Sequence, residues 1–198
     1  MAIIVDKVQK KKDIALACKD LFVNNSLKDL TVSKIAKNAG ISKGSIYDYF
    51  QNKEEIVFEL LHHLMMEHDE RKKKQLLDAK STKERVKIFA EFFYSDDTKE
   101  LREIYKDFIS IILSTPNEDM TNFQTECVKR YFNWMCEIIQ EGIDKGELLP
   151  ESINIAKGLF AVGEGMFISS NITHTIDDLE KELNQNIDAI FSLIEVKK

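Results

Sequence analysis

The scarcity of helix breakers constrains this chain most: its 198 residues include only two prolines and seven glycines. Both prolines, Pro116 and Pro150, fall between segments whose apolar residues recur at helical spacing, where a missing amide donor does no harm. An all-α fold is therefore expected. With 43% hydrophobic and 31% charged residues, the chain lies outside the disordered, collagen-like and low-complexity classes and is long enough to bury a core. Its apolar stretches, such as Leu159 to Gly163, are broken by charge well short of the roughly 18 residues that a bilayer span needs. No membrane partner is expected. The opening Met1-Ala2-Ile3-Ile4-Val5 sets a short apolar patch before its lysines, the reverse of a secretory signal. Cys18, Cys127 and Cys136 are an odd, sparse set unsuited to a disulfide framework. Cys127 and Cys136 would also sit about 13 Å apart along one helix, too far to bridge. These features suit the cytoplasm.

The net charge of −6 conceals an asymmetry. Residues 1–53 carry 10 Lys, no Arg and 5 Asp, a net +5, whereas residues 54–198 carry 18 basic and 29 acidic side chains, a net −11. A division into domains 1–53 and 54–198 follows, with a small basic module able to approach a polyanion that the acidic remainder repels.

Local signals divide the basic module into three helices. The first runs from about Lys7 to Asn24, with Ile14, Ala17, Cys18, Leu21 and Phe22 on one face. Asn24-Asn25-Ser26 ends it. Thr31 is placed to cap a second helix bearing Val32, Ile35, Ala36 and Ala39. Gly40 breaks that helix, and Ser42 caps a third that reaches about Tyr49. Two short capped helices around a glycine turn form a helix-turn-helix. Asn52, with Glu55 three residues on, then opens a long helix through Leu60, Leu61, Leu64 and Met65 toward Leu76.

On the third helix Ile46 and Phe50 face inward, leaving Ser42, Lys43, Gly44, Ser45, Tyr47 and Tyr49 toward solvent. These are groups that suit double-stranded DNA. Hydroxyls and phenols donate to phosphate oxygens, Lys43 neutralises charge, and Gly44 admits a close backbone. Base-edge contacts fall to Lys43, Gly44 and Ser45, with further phosphate contacts from Thr31 and Lys53. The plainer reading of Tyr47 and Tyr49 is ordinary packing with wet hydroxyls. Lys7, Lys10, Lys11 and Lys12 read by default as a solvated helix start, with a DNA-contacting arm as the alternative.

The run Leu30-Thr31-Val32-Ser33-Lys34-Ile35-Ala36-Lys37-Asn38-Ala39-Gly40-Ile41-Ser42-Lys43-Gly44-Ser45-Ile46-Tyr47-Asp48-Tyr49-Phe50, followed by Asn52-Lys53-Glu54-Glu55, resembles the TetR family of one-component transcriptional regulators. The resemblance covers about residues 7–60. It implies DNA-contact roles for Thr31, Ser42, Lys43, Ser45, Tyr47, Tyr49 and Lys53. Two positions depart from the pattern: Ser26 stands where a glycine often ends the first helix, and Asp48 where an aromatic or histidine is common.

Beyond the long helix, helical segments are expected near 82–94, 99–114, 118–145, 152–172 and 177–196. Gly158, Ala161, Gly163 and Gly165 supply small side chains in 152–172. In 177–196, Leu179, Leu183, Ile187, Ile190 and Ile194 form a stripe that Phe191 and Leu193 widen. The pair reads as half of a homodimeric four-helix interface, or else as monomer core. The run Gln140-Glu141-Gly142-Ile143-Asp144-Lys145-Gly146-Glu147-Leu148-Leu149-Pro150 is similar to the family's loop before its dimerising helices. The resemblance further implies a C-terminal pocket for a small-molecule effector. A small apolar or aromatic ligand is expected, its pocket lined by Phe89, Phe93, Tyr105, Phe108, Tyr131, Trp134, Met135 and Phe167. The fold expected is thus all-α, an N-terminal helix-turn-helix DNA-binding domain followed by a helical ligand-binding and dimerisation domain.

An enzyme is disfavoured. Glu59-Leu60-Leu61-His62 has a di-iron spacing but lacks its second copy. His62, His63, Glu67 and His68 read as a solvated helix face, with His63 and Glu67 aligned. No phosphate loop, nucleophile elbow or zinc motif is present, so no catalytic residues, metal or cofactor are expected.

Overall fold

The computed structural model describes residues 2–115 and 117–197, with side chains from residue 7 onward. Pro116 and the side chains of the opening apolar patch lie outside the described residues. Every regular element among them is helical: α1 (Ala2–Ala17), α2 (Lys19–Val23), α3 (Val32–Asn38), α4 (Lys43–Tyr47), α5 (Lys53–Asp78), α6 (Thr82–Ala90), α7 (Lys99–Ser114), α8 (Glu118–Asp144), α9 (Ala156–Ile172) and α10 (Leu179–Ile194). Short 3-10 turns at Leu27–Asp29, Glu91–Phe93, Asp96–Thr98 and Pro150–Ile155 join them. The segments read from periodicity are present. The first is interrupted at Cys18, whose amide bonds the Ala15 carbonyl, three residues back, at 3.1 Å. Its buried thiol donates to the Ile35 carbonyl at 3.8 Å.

Packing divides the chain into two compact units, Met1–Asp69 with Glu100–Phe123, and Glu70–Lys99 with Gln124–Lys198. This differs from the division at 53/54. The physical reason is that α5 continues unbroken past Lys53 and that α7 closes onto the basic module. The Asp107 carboxylate accepts from Ser26 Oγ at 2.9 Å and from the Leu27 amide at 2.6 Å.

In the second unit, rings from α6, the 3-10 turn after it, α8 and α9 pack together: Phe89 meets Tyr131, Trp134 and Phe160, and Phe93 meets Phe160 and Phe167. Gly163 on α9 is buried because Phe93 occupies the place of a side chain. A Cβ there would lie 2.6 Å from the Phe93 ring. Gly163 therefore serves this unit's own core, whereas Gly158 and Gly165 face open space. The loop after α8 turns at Gly146, φ +70°. It is tied to the C-terminal strand-like tail by the Leu149 amide to the Ile194 carbonyl and the Val196 amide to the Glu147 carbonyl, each 2.9 Å.

Of the residues expected on a solvated face of α5, His62 and Glu67 are exposed and His63 is half-buried, whereas His68 is enclosed. His68, Asp69 and Lys72 are all buried. His68 Nδ1 lies 3.3 Å from Asp69 Oδ1, Lys72 pairs with Glu91, and His63 bonds Glu59 at 2.8 Å rather than Glu67. Helical periodicity marked these buried positions polar without showing that they continue the buried stripe of Val57, Leu61 and Met65 on α5.

Cys127 on α8 is held in its thiol form: burial, reinforced by the neighbouring Glu126 carboxylate, pushes it up to about 11. At neutral pH the thiol is protonated in the folded and the unfolded chain alike, and because burial penalises the thiolate, stability falls as pH climbs from the ordinary 9.0 through about 11. Alkylation of Cys127 at pH 8 is expected to be about 100-fold slower than for a free thiol, from the smaller thiolate fraction. Peptide mapping after timed iodoacetamide treatment checks this, and labelling at a free-thiol rate contradicts it.

Candidate nucleic-acid interface

The helix-turn-helix is built from local bonds. Thr31 Oγ1 accepts from the Lys34 amide at 3.2 Å and caps α3. At the other end, Gly40 takes φ +68°, allowing the Ile41 amide to reach the Ala36 carbonyl at 3.0 Å and the Gly40 amide to reach that of Lys37 at 3.2 Å. This paired closure satisfies two orphan carbonyls, and a left-handed residue is what it requires. Ser42 Oγ then accepts from the Ser45 amide at 3.0 Å and caps α4. Asn38 Nδ2 donates to the Ala17 carbonyl at 2.8 Å, so α3 also closes the end of α1.

Ile35, Ala36, Ile46 and Phe50 are buried beneath these helices with Ile14, Cys18 and Phe22. Burying Ile46 fixes which side of α4 faces out. Ser42, Lys43, Gly44, Tyr47 and Asp48 are exposed, and Ser45 and Tyr49 half-buried. Tyr47 keeps 53% of its surface accessible, too much for a packing residue. A Cβ at Gly44 would meet only Ser42 Oγ, at 3.7 Å, so the glycine leaves α4's surface low without being needed for the fold. The Ser42 and Ser45 hydroxyls lie 2.8 Å apart and share one bond.

Thr31 is exposed at the start of α3, where Lys34 and Lys37 are exposed as well. Lys53 is different. Its ammonium donates to three carbonyls, of Leu27 at 2.6 Å, Lys28 at 3.3 Å and Leu30 at 3.0 Å. These bonds can take up all three of its hydrogens, giving Lys53 internal partners with which the expected phosphate contact would compete. Its partners lie 23 to 26 residues upstream, beyond what motif spacing registers. Among the N-terminal lysines, Lys7 and Lys10 are exposed, while Lys11 stands over the Phe50 ring, 5.1 Å from its centroid.

The residues expected to line an effector pocket are divided between the two units. Phe89, Phe93, Tyr131, Trp134, Met135 and Phe167 belong to the second unit. Tyr105 and Phe108 are on α7 in the first, where Phe108 packs against Phe58 and Phe123. Aromatic residues at helical spacing announce burial without naming the core they enter.

Residues 14–60 match the sequence family described as bacterial regulatory proteins, tetR family. The fatty acid metabolism regulator protein of Bacillus subtilis is 29% identical over 72% of either chain. The HTH-type transcriptional regulator QacR of Staphylococcus aureus is 23% identical over 88% of this chain and 93% of its own. The crystal structure of a TetR-family transcriptional regulator from Cytophaga hutchinsonii superposes with a TM-score of 0.79 at 17% identity, covering 96% of each chain. A helix-turn-helix with this capping, a helical remainder and these relatives place the chain in the TetR family of transcriptional regulators.

Proposed function

We propose that the protein is a homodimeric transcriptional repressor, acting in the cytoplasm and released from a quasi-palindromic operator when an apolar ligand enters its C-terminal helices. One observation carries the DNA-reading part: α4 buries Ile46 and presents Ser42, Lys43, Gly44 and Tyr47 together on its open side. Lys43, Gly44 and Ser45 meet base edges, Lys43 also neutralises phosphate charge, and Tyr47, Tyr49 and Thr31 hold phosphates. Lys53 is left out of this set.

The exposed apolar side chains of α9 and α10 support pairing of two chains. Val162, Ile172 and Leu193 stand 39%, 75% and 78% accessible, beside the open Gly158 and Gly165. Covering such a surface favours a two-fold dimer, which spaces two α4 helices by one DNA turn, about 34–36 Å. The aromatic cluster of the second unit supports an apolar effector. The name of the Bacillus subtilis relative makes fatty acyl compounds the first class to test. Ligand preference for one shape then biases α5, which runs unbroken from Lys53 to Asp78. Equal affinity for both shapes would shift nothing.

The test uses a duplex recovered by the wild-type chain from a random-sequence pool. Tyr47→Phe is expected to weaken binding about tenfold on every sequence, and Lys43→Ala to relax base preference as well. Adding a long-chain fatty acid is expected to release the duplex. Unchanged binding by both variants overturns the assignment of α4, and retention of the duplex by every acyl compound overturns the ligand class.

A further inference from the structure

Three polar contacts run along one stripe of α7 and hold the segment that leads into the helix-turn-helix. The Glu100 carboxylate pairs with the Lys19 ammonium on α2. Asp107 accepts from Ser26 Oγ and the Leu27 amide. Ser114 Oγ accepts from Lys28 Nζ at 3.3 Å. Successive members stand seven residues apart, close to two helical turns, so all three share one face.

The 3-10 turn Leu27–Asp29 is thereby held by opposite charges from two different helices. Asp107 of α7 takes the donors at its start, and Lys53 of α5 takes carbonyls along it, those of Leu27, Lys28 and Leu30. Leu27 and Leu30, 3% and 2% accessible, seat the turn on the apolar core. The apolar contacts fix its depth. The charged contacts fix its direction, because a hydrogen bond is far more demanding of angle than dispersion is. The next residue after Leu30 is Thr31, the cap of α3, so the direction of this turn sets where α3 begins and where α4 lies.

We propose that Asp107 is a positioning residue for DNA recognition, acting with Lys53 as its counterpart. Neither touches DNA; together they orient α3 and α4 on the first unit. This rests on the reading of α4 as the helix that enters the groove. Positioning matters for a docked, sequence-specific complex and hardly at all for loose attraction between lysines and phosphates. The two kinds of binding therefore separate this role from a general loss of stability.

The experiment compares fluorescence anisotropy titrations on the duplex recovered by the wild-type chain and on a scrambled duplex of equal length. Asp107→Ala is expected to weaken specific binding about tenfold and to leave scrambled-duplex binding within about twofold. Asp107→Asn, which keeps an oxygen for the Leu27 amide, is expected to lie between. Lys53→Met is expected to behave as Asp107→Ala does, with an unchanged salt slope, whereas loss of a phosphate-contacting lysine lowers the slope by about one per site. Circular dichroism at the binding temperature establishes that each variant is folded; if Asp107→Ala is not, Asp107→Asn carries the test. Both Asp107 variants binding the specific duplex as tightly as wild type overturns the proposal, and so does proportionate loss on both duplexes. If the wild-type chain recovers no duplex at all, the assignment of α4 fails and the proposal falls with it. Recovery by wild type with matching variants overturns only the role of Asp107.

Discussion

Phe108→Ala is expected to lower stability by about 3–5 kcal/mol, the range for truncating a buried aromatic ring. Phe108 is 1% accessible. Its ring meets Phe58 edge-on at 5.9 Å and Phe123 at 5.6 Å, while Phe58 and Phe123 stack at 5.0 Å. Three elements, α5, α7 and the start of α8, are joined by these rings. Removing the middle ring leaves a void that two flat, mutually stacked neighbours cannot close by rotating about one bond, so relaxation recovers little. Domains are typically stable by only about 5–15 kcal/mol, and the variant is expected to unfold at much lower urea. Urea titration followed by circular dichroism reads this as a shifted midpoint at unchanged slope. A loss below about 1 kcal/mol would show that Phe108 borders an adjustable space, as a residue lining an effector pocket does.

The parts of this fold legible in the sequence are those whose partners are near in the chain. Thr31, Ser42 and Asn52 each accept from an amide three residues on, and their type and position mark the helix starts. Gly40 marks the turn because no other residue takes φ +68° as cheaply. The Asn52 cap shows the limit of such reading. Glu55 reaches back as expected, yet its carboxylate accepts from Gln51 at 2.9 Å rather than from Asn52.

Less legible are residues whose roles depend on distant segments. Lys53 looks like a phosphate ligand at a helix start until the Leu27–Asp29 turn is brought to it. Asp107 carries no local signal, its partners being 80 and 81 residues away. Gly163 and Gly165 look alike in the chain, but only the former lies under Phe93. In the same way the apolar stripe of α10 divides: Leu183, Ile187 and Phe191 are buried in the second unit, whereas Leu193 is open. Sequence period gives the face of a helix. It does not give what covers that face.

The basic module should make duplex binding steeply dependent on salt. Exposed Lys34, Lys37 and Lys43 lie on α3 and α4, and in the proposed homodimer two chains bring about six such charges to phosphates. Each releases condensed counterions, so affinity falls as a power of the salt concentration. Raising salt from about 50 to 200 mM is then expected to weaken binding about 10³-fold. The acidic remainder, a net −11 over residues 54–198, repels the duplex and sharpens the contrast by denying binding to any other face. Anisotropy of a labelled duplex, titrated with the wild-type chain and with Lys43→Ala across that range, is the direct measurement. A steep line for wild type, shallower by about one per chain in Lys43→Ala, is the expected result. A flat line, or no binding in dilute salt, would contradict the assignment of α3 and α4 to DNA.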